Sequence, residues 1–275
     1  MLIDAHFHCW QLARGDYGWL TPALAPIYRD VAVHDWLAEA RHCGVGGGVL
    51  VQAAPTDAET HFLLQQADAH PEVLGVVGWA DLLAPDAPQR IAALAAHPRL
   101  KALRPMLQDI ADPDWILQDA LAPALDAMVQ HGLVFDALVQ PRHLPRILAL
   151  ARRYPALQLV IDHGAKPDIA SAAWQPWADD LRALAHHTTA VCKLSGLLTE
   201  AGPQPAPDAA LRWCRHILDS FGAWRVLWGS DWPVLELAAS YADWWHEVQA
   251  QLQHLGAQER AAVLGGNARR VYGLG

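Results

Sequence analysis

The chain opens, after its first methionine, with Leu2-Ile3-Asp4-Ala5-His6-Phe7-His8. This apolar run predicts a short buried strand that ends in two histidines. Because side chains alternate along a strand, His6 and His8 should point to the same face. Two imidazoles side by side at a strand end predict half of a metal site. A lone His-x-His in a surface strand usually has no such role, so the interpretation depends on partners elsewhere in the chain.

The pattern of an apolar strand followed by an amphipathic helix recurs along the whole chain. We predict strands over residues 2–8, 49–52, 74–81, 100–104, 133–139, 157–163, 190–195 and 225–231. We predict helices over residues 33–42, 57–70, 86–97, 115–131, 143–153, 174–187, 208–221, 240–254 and 257–264. Eight such units indicate a single (β/α)8 TIM barrel spanning residues 1–275 as one domain. An open doubly wound sheet is less favoured, because no glycine-rich phosphate loop follows the first strand.

Composition narrows the class of function. The chain is 53% hydrophobic and 18% charged, with a formal net charge of -9, which supports a large core and disfavours nucleic-acid binding. No basic amphipathic or bilayer-length apolar segment appears, so we expect no membrane association. The four cysteines are scattered and no export signal is recognisable, so we expect free thiols and a cytoplasmic protein. The sequence gives no indication of oligomeric state.

Polar side chains end nearly every predicted strand, where TIM-barrel enzymes place their chemistry. The strand-end residues are His6, His8, Gln52, Asp81, Arg104, Asp136, Asp162, His163, Lys193, Ser195 and Asp231. Each one alone is compatible with a structural salt bridge. Together they predict an enzyme, because buried polar groups that share one cavity are costly unless they pair or react.

Four of these residues have the side chains that a divalent ion prefers. We predict that His6, His8, His163 and Asp231 ligate one metal ion, most simply Zn²⁺, which binds imidazole nitrogen and carboxylate oxygen. Taken singly, His163 is equally compatible with a core histidine and Asp231 with a loop cap before Pro233.

Three motifs, in order, resemble those of the amidohydrolase superfamily. They are Asp4-Ala5-His6-Phe7-His8-Cys9-Trp10, Asp162-His163-Gly164-Ala165-Lys166-Pro167 and Trp228-Gly229-Ser230-Asp231-Trp232-Pro233. The chain is most similar to the amidohydrolase-related branch of TIM-barrel hydrolases, which includes lactonases of sugar acids and of aromatic acids. Binuclear members carry a bridging lysine or glutamate where this chain has Arg104 or Asp136, which implies at most one metal ion. Some lactonases of the branch are thought to work without metal, so the resemblance leaves metal-free catalysis open.

The chain departs from the superfamily pattern in two further ways. The third histidine, His163, follows the sixth predicted strand, whereas the family usually places it after the fifth. Lys193 stands where many members have another histidine.

The resemblance implies a hydrolase that opens a small sugar-derived lactone such as L-fuconolactone. Asp231 would be the general base, assisted by His163, while Arg104 and Lys193 would stabilise the oxyanion. The residues expected to contact substrate are Trp10, Gln52, Trp79, Arg104, Asp136, Lys193 and Trp232. The alternatives are a zinc-dependent decarboxylase of an aromatic acid, an aromatic-dicarboxylate lactonase, an amide or phosphoester hydrolase, and a non-catalytic sugar-binding protein.

Overall fold

Eight parallel strands form one sheet in sequence order, as the alternating pattern predicts. The computed structural model describes residues 1–206 and 208–275. The strands are β1 Leu2–Phe7, β2 Val45–Val51, β3 Val73–Gly78, β4 Leu100–Leu103, β5 Val134–Ala137, β6 Leu159–Ile161, β7 Val191–Leu194 and β8 Val226–Trp228. The barrel closes just beyond β8, where Asp231 N donates to His6 O and His8 N donates to Trp232 O, both at 2.8 Å. The prediction of a (β/α)8 barrel is confirmed.

The helices surround this barrel. They are α1 Val33–His42, α2 Asp57–Ala69, α3 Ala87–Ala95, α4 Ala122–Gln130, α5 Leu144–Arg153, α6 Trp177–His187, α7 Leu197–Glu200, α8 Leu211–Phe221, α9 Tyr241–Gln251, α10 Ala257–Ala261 and α11 Asn267–Val271. Within the described residues, no helix combines the length and apolar character needed to cross a bilayer.

Several boundaries differ from those predicted, for local reasons. The predicted helix over 115–131 consists of two single turns followed by α4, which begins beside Pro123, a residue suited to the first turn of a helix. The strand β2 begins at Val45, earlier than predicted. Its first half contains three glycines, which in the sequence alone indicate an interruption, but the strand needs glycine where neighbouring side chains approach its backbone closely. A Cβ at Gly48 would lie 2.7 Å from the Trp36 ring and 2.8 Å from the Phe7 ring. The sequence pattern also missed the short helix α7.

The interior of the barrel is layered. Its lower layer is a separate apolar cluster of small and branched side chains, including Ile3, Val134, Val160, Val191 and Leu227. Alternation along each strand then places the next inward side chain one layer higher. That upper layer carries the polar residues, including Asp136 on β5 and Lys193 on β7, which are fully buried. The fold thus sets a charged layer directly beneath the mouth of the barrel.

Candidate active site

The four predicted metal ligands converge at the mouth of the barrel. Asp231 Oδ1 lies 3.3 Å from His8 Nε2, 3.5 Å from His6 Nε2 and 3.8 Å from His163 Nε2. The ligand atoms of His6, His163 and Asp231 all lie within 4.8 Å of one another. His6 and His8 face the same side, with their Nε2 atoms 3.2 Å apart. This spacing suits one small cation bound by imidazole and carboxylate groups.

The backbone around His163 takes an unusual conformation. Four consecutive residues after β6 have left-handed φ angles, namely His163 at 52°, Gly164 at 58°, Ala165 at 63° and Lys166 at 49°. Left-handed backbone costs a non-glycine residue on the order of 1–2 kcal/mol. This turn directs His163 and Lys166 into the same cavity. Asp231 is also left-handed, with a φ of 60°, so strained backbone supports two of the four converging residues.

Gly196 provides room for this arrangement. A Cβ at that position would lie 2.5 Å from His163 Nδ1 and 3.1 Å from Asp231 Oδ2. Its φ of 63° also lies in the region that glycine adopts most readily. Both space and conformation therefore require glycine beside the site.

The second ring nitrogen of each histidine has a defined neighbour. His8 Nδ1 donates to the Val51 carbonyl at 2.8 Å, which turns Nε2 toward the cluster. His163 Nδ1 lies 2.9 Å from Ser195 Oγ. His6 Nδ1 lies 3.1 Å from Lys193 Nζ and 3.6 Å from Asp162 Oδ1, and a carboxylate is a usual partner for a metal-bound imidazole. The donor set therefore fits a metal ion.

Asp4 organises the loop that carries Asp231, a role that strand-end reasoning missed. Its fully buried carboxylate accepts hydrogen bonds from Ser230 N at 2.8 Å and Ser230 Oγ at 2.6 Å. Trp36 Nε1 and Tyr241 OH donate to it at 2.9 and 3.1 Å. The aspartate in the first sequence motif was the available signal for this role.

Burial and neighbouring charge set the protonation of the site. Burial alone would raise the pKa of Asp231, but the imidazoles of His163, His8 and His6 outweigh it and hold this pKa below its usual range. Burial lowers the pKa of His163 to about 4, although Asp231 and Asp162 oppose the shift. At neutral pH the site therefore presents an ionised carboxylate beside a neutral His163.

A cavity of about 630 Å³ opens above the cluster. His8, His163 and Asp231 reach it from the barrel. Its other polar lining residues are Asp16, Arg104, Gln108, Asp109, Lys166, Thr199 and Glu200. Trp19, Leu24, Met106 and Leu138 contribute apolar surface to its wall. Most of these side chains come from loops, where the alternation that identified the strand ends gives no signal.

The two predicted oxyanion donors lie in different places. Arg104 lines the cavity, and its guanidinium donates to Asp162 Oδ2 at 3.2 Å and to the Gln52 carbonyl. Lys193 is fully buried below the cavity, with Nζ 2.6 Å from Asp136 Oδ2 and 2.9 Å from Asp162 Oδ1. Lys193 therefore does not reach the cavity, because it lies within β7 instead of beyond its end. Its geometry is that of a counter-ion.

Asp136 and Gln52 likewise lie beneath the cavity lining. Asp136 accepts from Lys193 and also from Tyr272 OH, which lies 2.9 and 2.8 Å from its two oxygens. Gln52 Nε2 donates to the Arg104 carbonyl at 2.7 Å. Both side chains have their polar atoms committed to the protein, which corrects the expectation of direct substrate contact.

The three predicted tryptophan contacts are also placed outside the lining. Trp10 is fully buried, with Nε1 donating to the Arg29 carbonyl at 2.8 Å. Trp232 is 2% exposed and donates to Glu236 at 2.8 Å. Trp79 is partly buried and is not among the residues that line the cavity, and Thr60 Oγ1 hydrogen-bonds with both its backbone N–H and its carbonyl. Trp10 and Trp232 belong to the hydrophobic core. Trp19, which was not among the predicted contacts, lines the cavity instead.

Known proteins match the chain over almost its full length. The amidohydrolase family model matches residues 3–274. An L-fucono-1,5-lactonase of Burkholderia ambifaria is 49% identical over 98% of this chain and 94% of its own. Another, of Burkholderia multivorans, is 38% identical over 99% and 96%. A crystal structure of an amidohydrolase from Burkholderia multivorans with bound zinc is 36% identical, covers 100% of both chains and has a TM-score of 0.94. The chain therefore belongs to the amidohydrolase family.

Proposed function

We propose that this protein hydrolyses the lactone ring of a small sugar-derived lactone, with L-fucono-1,5-lactone as the first candidate substrate. The observation that carries the proposal is the convergence of Asp231 with three histidines at the base of an open cavity. The L-fucono-1,5-lactonases that match nearly the whole chain support the same substrate class.

Asp231 takes the role of general base. Its carboxylate is ionised and can accept a proton from a water molecule that attacks the lactone carbonyl. The water oxygen then bonds to the carbonyl carbon, and the bond from that carbon to the ring oxygen breaks. The proton held on Asp231 passes to the departing oxygen, which leaves the open-chain hydroxy acid.

The developing negative charge on the carbonyl oxygen needs hydrogen-bond donors that are already in position. Arg104 reaches the cavity, and its guanidinium carries N–H groups suited to this role. A divalent ion, which we expect to be a single Zn²⁺ held by His6, His8, His163 and Asp231, would add Lewis-acid polarisation of the same carbonyl. Lys193 and Asp136 support these groups from below as a buried ion pair.

The charge of the cavity favours a neutral substrate. Its lining carries four carboxylate side chains, Asp16, Asp109, Glu200 and Asp231, against two cations, Arg104 and Lys166. Arg104 is paired with Asp162, Lys166 with Glu200 and Asp16 with Arg14. Both cations of the lining therefore already have a carboxylate partner. An aromatic dicarboxylate would meet repulsion there, whereas a sugar lactone is uncharged. Hydrolysis then produces a carboxylate, which the same acidic lining repels, so charge assists product release.

The test is a panel assay that follows acid release from sugar lactones, with an aromatic dicarboxylate lactone and an aromatic acid as comparison substrates. We expect hydrolysis of sugar lactones by the parent, and its loss in Asp231→Asn. The matched control is Asp119→Asn, because Asp119 is an exposed carboxylate paired with Arg153 and does not line the cavity. Release of carbon dioxide from the aromatic acid without lactone hydrolysis would favour the decarboxylase alternative and overturn the proposal.

A further inference from the structure

Trp19 is exposed in an unusual place. Five large apolar side chains are exposed in the part of the chain that the structure describes, namely Met1, Trp19, Tyr28, Leu83 and Trp224. Trp19 is the member of this group that lines the cavity. It is 37% exposed, although folding normally favours burial of so large a ring. Because Trp19 lines a cavity of ligand size, its partly exposed ring is positioned to contact a bound ligand.

The ring of Trp19 is held in one orientation. Its Nε1 donates to the Ala53 carbonyl at 2.7 Å, so its only polar group is already satisfied. Its ring packs edge-to-face against Trp10, with centroids 5.6 Å apart and an interplanar angle of 87°. Trp10 is fully buried and cannot yield easily. The conformational entropy of the Trp19 side chain is therefore lost when the protein folds, so substrate binding does not have to order this ring.

The loop around Trp19 is anchored as well. Asp16 Oδ2 accepts from Arg14 Nη2 at 2.7 Å and from Thr56 Oγ1 at 2.9 Å, which ties the loop to the start of α2. Trp10 and Val31 also exchange two backbone hydrogen bonds of 2.9 Å across the base of this loop. These contacts make the Trp19 ring a fixed part of the cavity wall.

The chemistry of the cavity matches two sides of a sugar lactone ring. Its base presents His8, His163 and Asp231 to the carbonyl and the attacking water. Its wall includes the Trp19 ring, whose one hydrogen-bonding group is committed to the Ala53 carbonyl. The ring of a sugar lactone has polar edges and, on at least part of one face, C–H groups. An indole face attracts such C–H surface and excludes hydroxyl groups that would lose their hydrogen bonds.

We propose that Trp19 is the platform on which the C–H face of the lactone ring packs, and that it determines which sugar lactones are accepted. This role rests on the proposed lactone hydrolysis at the same site. Lactones with hydroxyl groups on the face toward Trp19 are discriminated against, because those groups would be buried without partners.

The experiment compares Trp19→Leu, Trp19→Phe and the parent on L-fucono-1,5-lactone and on epimers that differ at one ring hydroxyl. Trp19→Leu removes the flat face and keeps an apolar side chain. We expect kcat/KM to fall about fivefold to tenfold, mainly through KM, because this range corresponds to about 1–1.4 kcal/mol, which is the size of one aromatic contact. We also expect its discrimination between epimers to shrink. Trp19→Phe keeps a flat ring and should recover most of the loss.

Binding is then measured separately from chemistry. In the Asp231→Asn background, lactone binding by calorimetry should weaken about fivefold to tenfold when Trp19→Leu is added. The matched control is Trp224→Leu, because Trp224 is 56% exposed and does not line the cavity. If a folded Trp19→Leu protein shows unchanged KM, binding and epimer discrimination, the proposed role of Trp19 is wrong, whereas the proposal of lactone hydrolysis still stands. A parent protein that hydrolyses no sugar lactone overturns both proposals, and equal losses in Trp224→Leu would also overturn the platform.

Discussion

Replacing Lys193 with methionine should destabilise the protein far more than it impairs the chemistry of the folded enzyme. Lys193, Arg104, Asp136 and Asp162 form a buried group with two positive and two negative charges. Lys193 and both aspartates are 0% exposed, and Arg104 is 3% exposed. Removing the lysine leaves one negative charge uncompensated, because methionine matches its length but carries no charge.

The magnitude follows from this burial. Removing one partner of a buried ion pair costs about 3–5 kcal/mol of unfolding free energy. A domain of this size loses roughly 2–4 °C in Tm per kcal/mol, so we expect a fall of roughly 10 °C. Adding Asp136→Asn to Lys193→Met removes one charge of each sign, and the double variant should recover part of the lost stability.

Lys166→Met is the matched control, because it makes the same chemical change in a lysine that lines the cavity. Lys166 is 26% exposed in its side chain and lies 3.5 Å from Glu200, so this pair should contribute less than about 1 kcal/mol. The assay is thermal and urea unfolding, with kcat/KM measured on folded protein. A Lys193→Met protein that unfolds like the parent but loses its activity would refute the counter-ion interpretation and return Lys193 to catalysis.

Four further predictions concern the site and its surroundings. Asp231→Asn should lower kcat by about three orders of magnitude, with unchanged thermal unfolding; a near-normal rate would place the base elsewhere. Metal analysis after dialysis against zinc should give one ion per chain in the parent and less in His163→Ala; two ions per chain would contradict a mononuclear site. Gly196→Ala should abolish activity, because its Cβ would meet His163, whereas Gly132→Ala has a similar φ of +64° with nothing within 4 Å and should affect stability alone. Burial raises the pKa of Glu59 from 4.5 to about 7, against hydrogen bonds from Ala53 and Ala54. The folded state therefore holds this proton more tightly than the unfolded state, so stability should fall by about 3 kcal/mol as pH rises from 4.5 to 7. Glu59→Gln should remove this slope in urea unfolding, and an unchanged slope would assign it to other groups.

The sequence predicted the barrel because its signal is periodic. Buried strands and amphipathic helices alternate eight times, and each unit fixes the place of the next. The convergence of His6, His8, His163 and Asp231 was predictable for the same reason, since parallel strands end at one mouth. The position of His163 after the sixth strand is confirmed, because β6 ends at Ile161.

The substrate-facing residues were harder to predict. Lys193 and Ser195 are two residues apart, and the sequence does not reveal that the strand ends between them. Ser195, beyond the strand end, contacts His163, whereas Lys193, within the strand, contacts Asp136 and Asp162. The tryptophans show a similar limit, because Trp10 and Trp19 belong to one irregular loop and only the folded loop decides which ring is buried and which is exposed.

The site spans the junction between β1 and β8, so catalytic activity requires the complete barrel. His8 and Asp231 are separated by 223 positions, yet they lie 3.3 Å apart across this junction. During synthesis, His8 is made 223 residues before its carboxylate partner Asp231. A growing chain therefore has no working site until the last strand docks against the first. Two halves cut between β4 and β5 would each be inert, and recovered activity on mixing them would measure how well the halves reassemble.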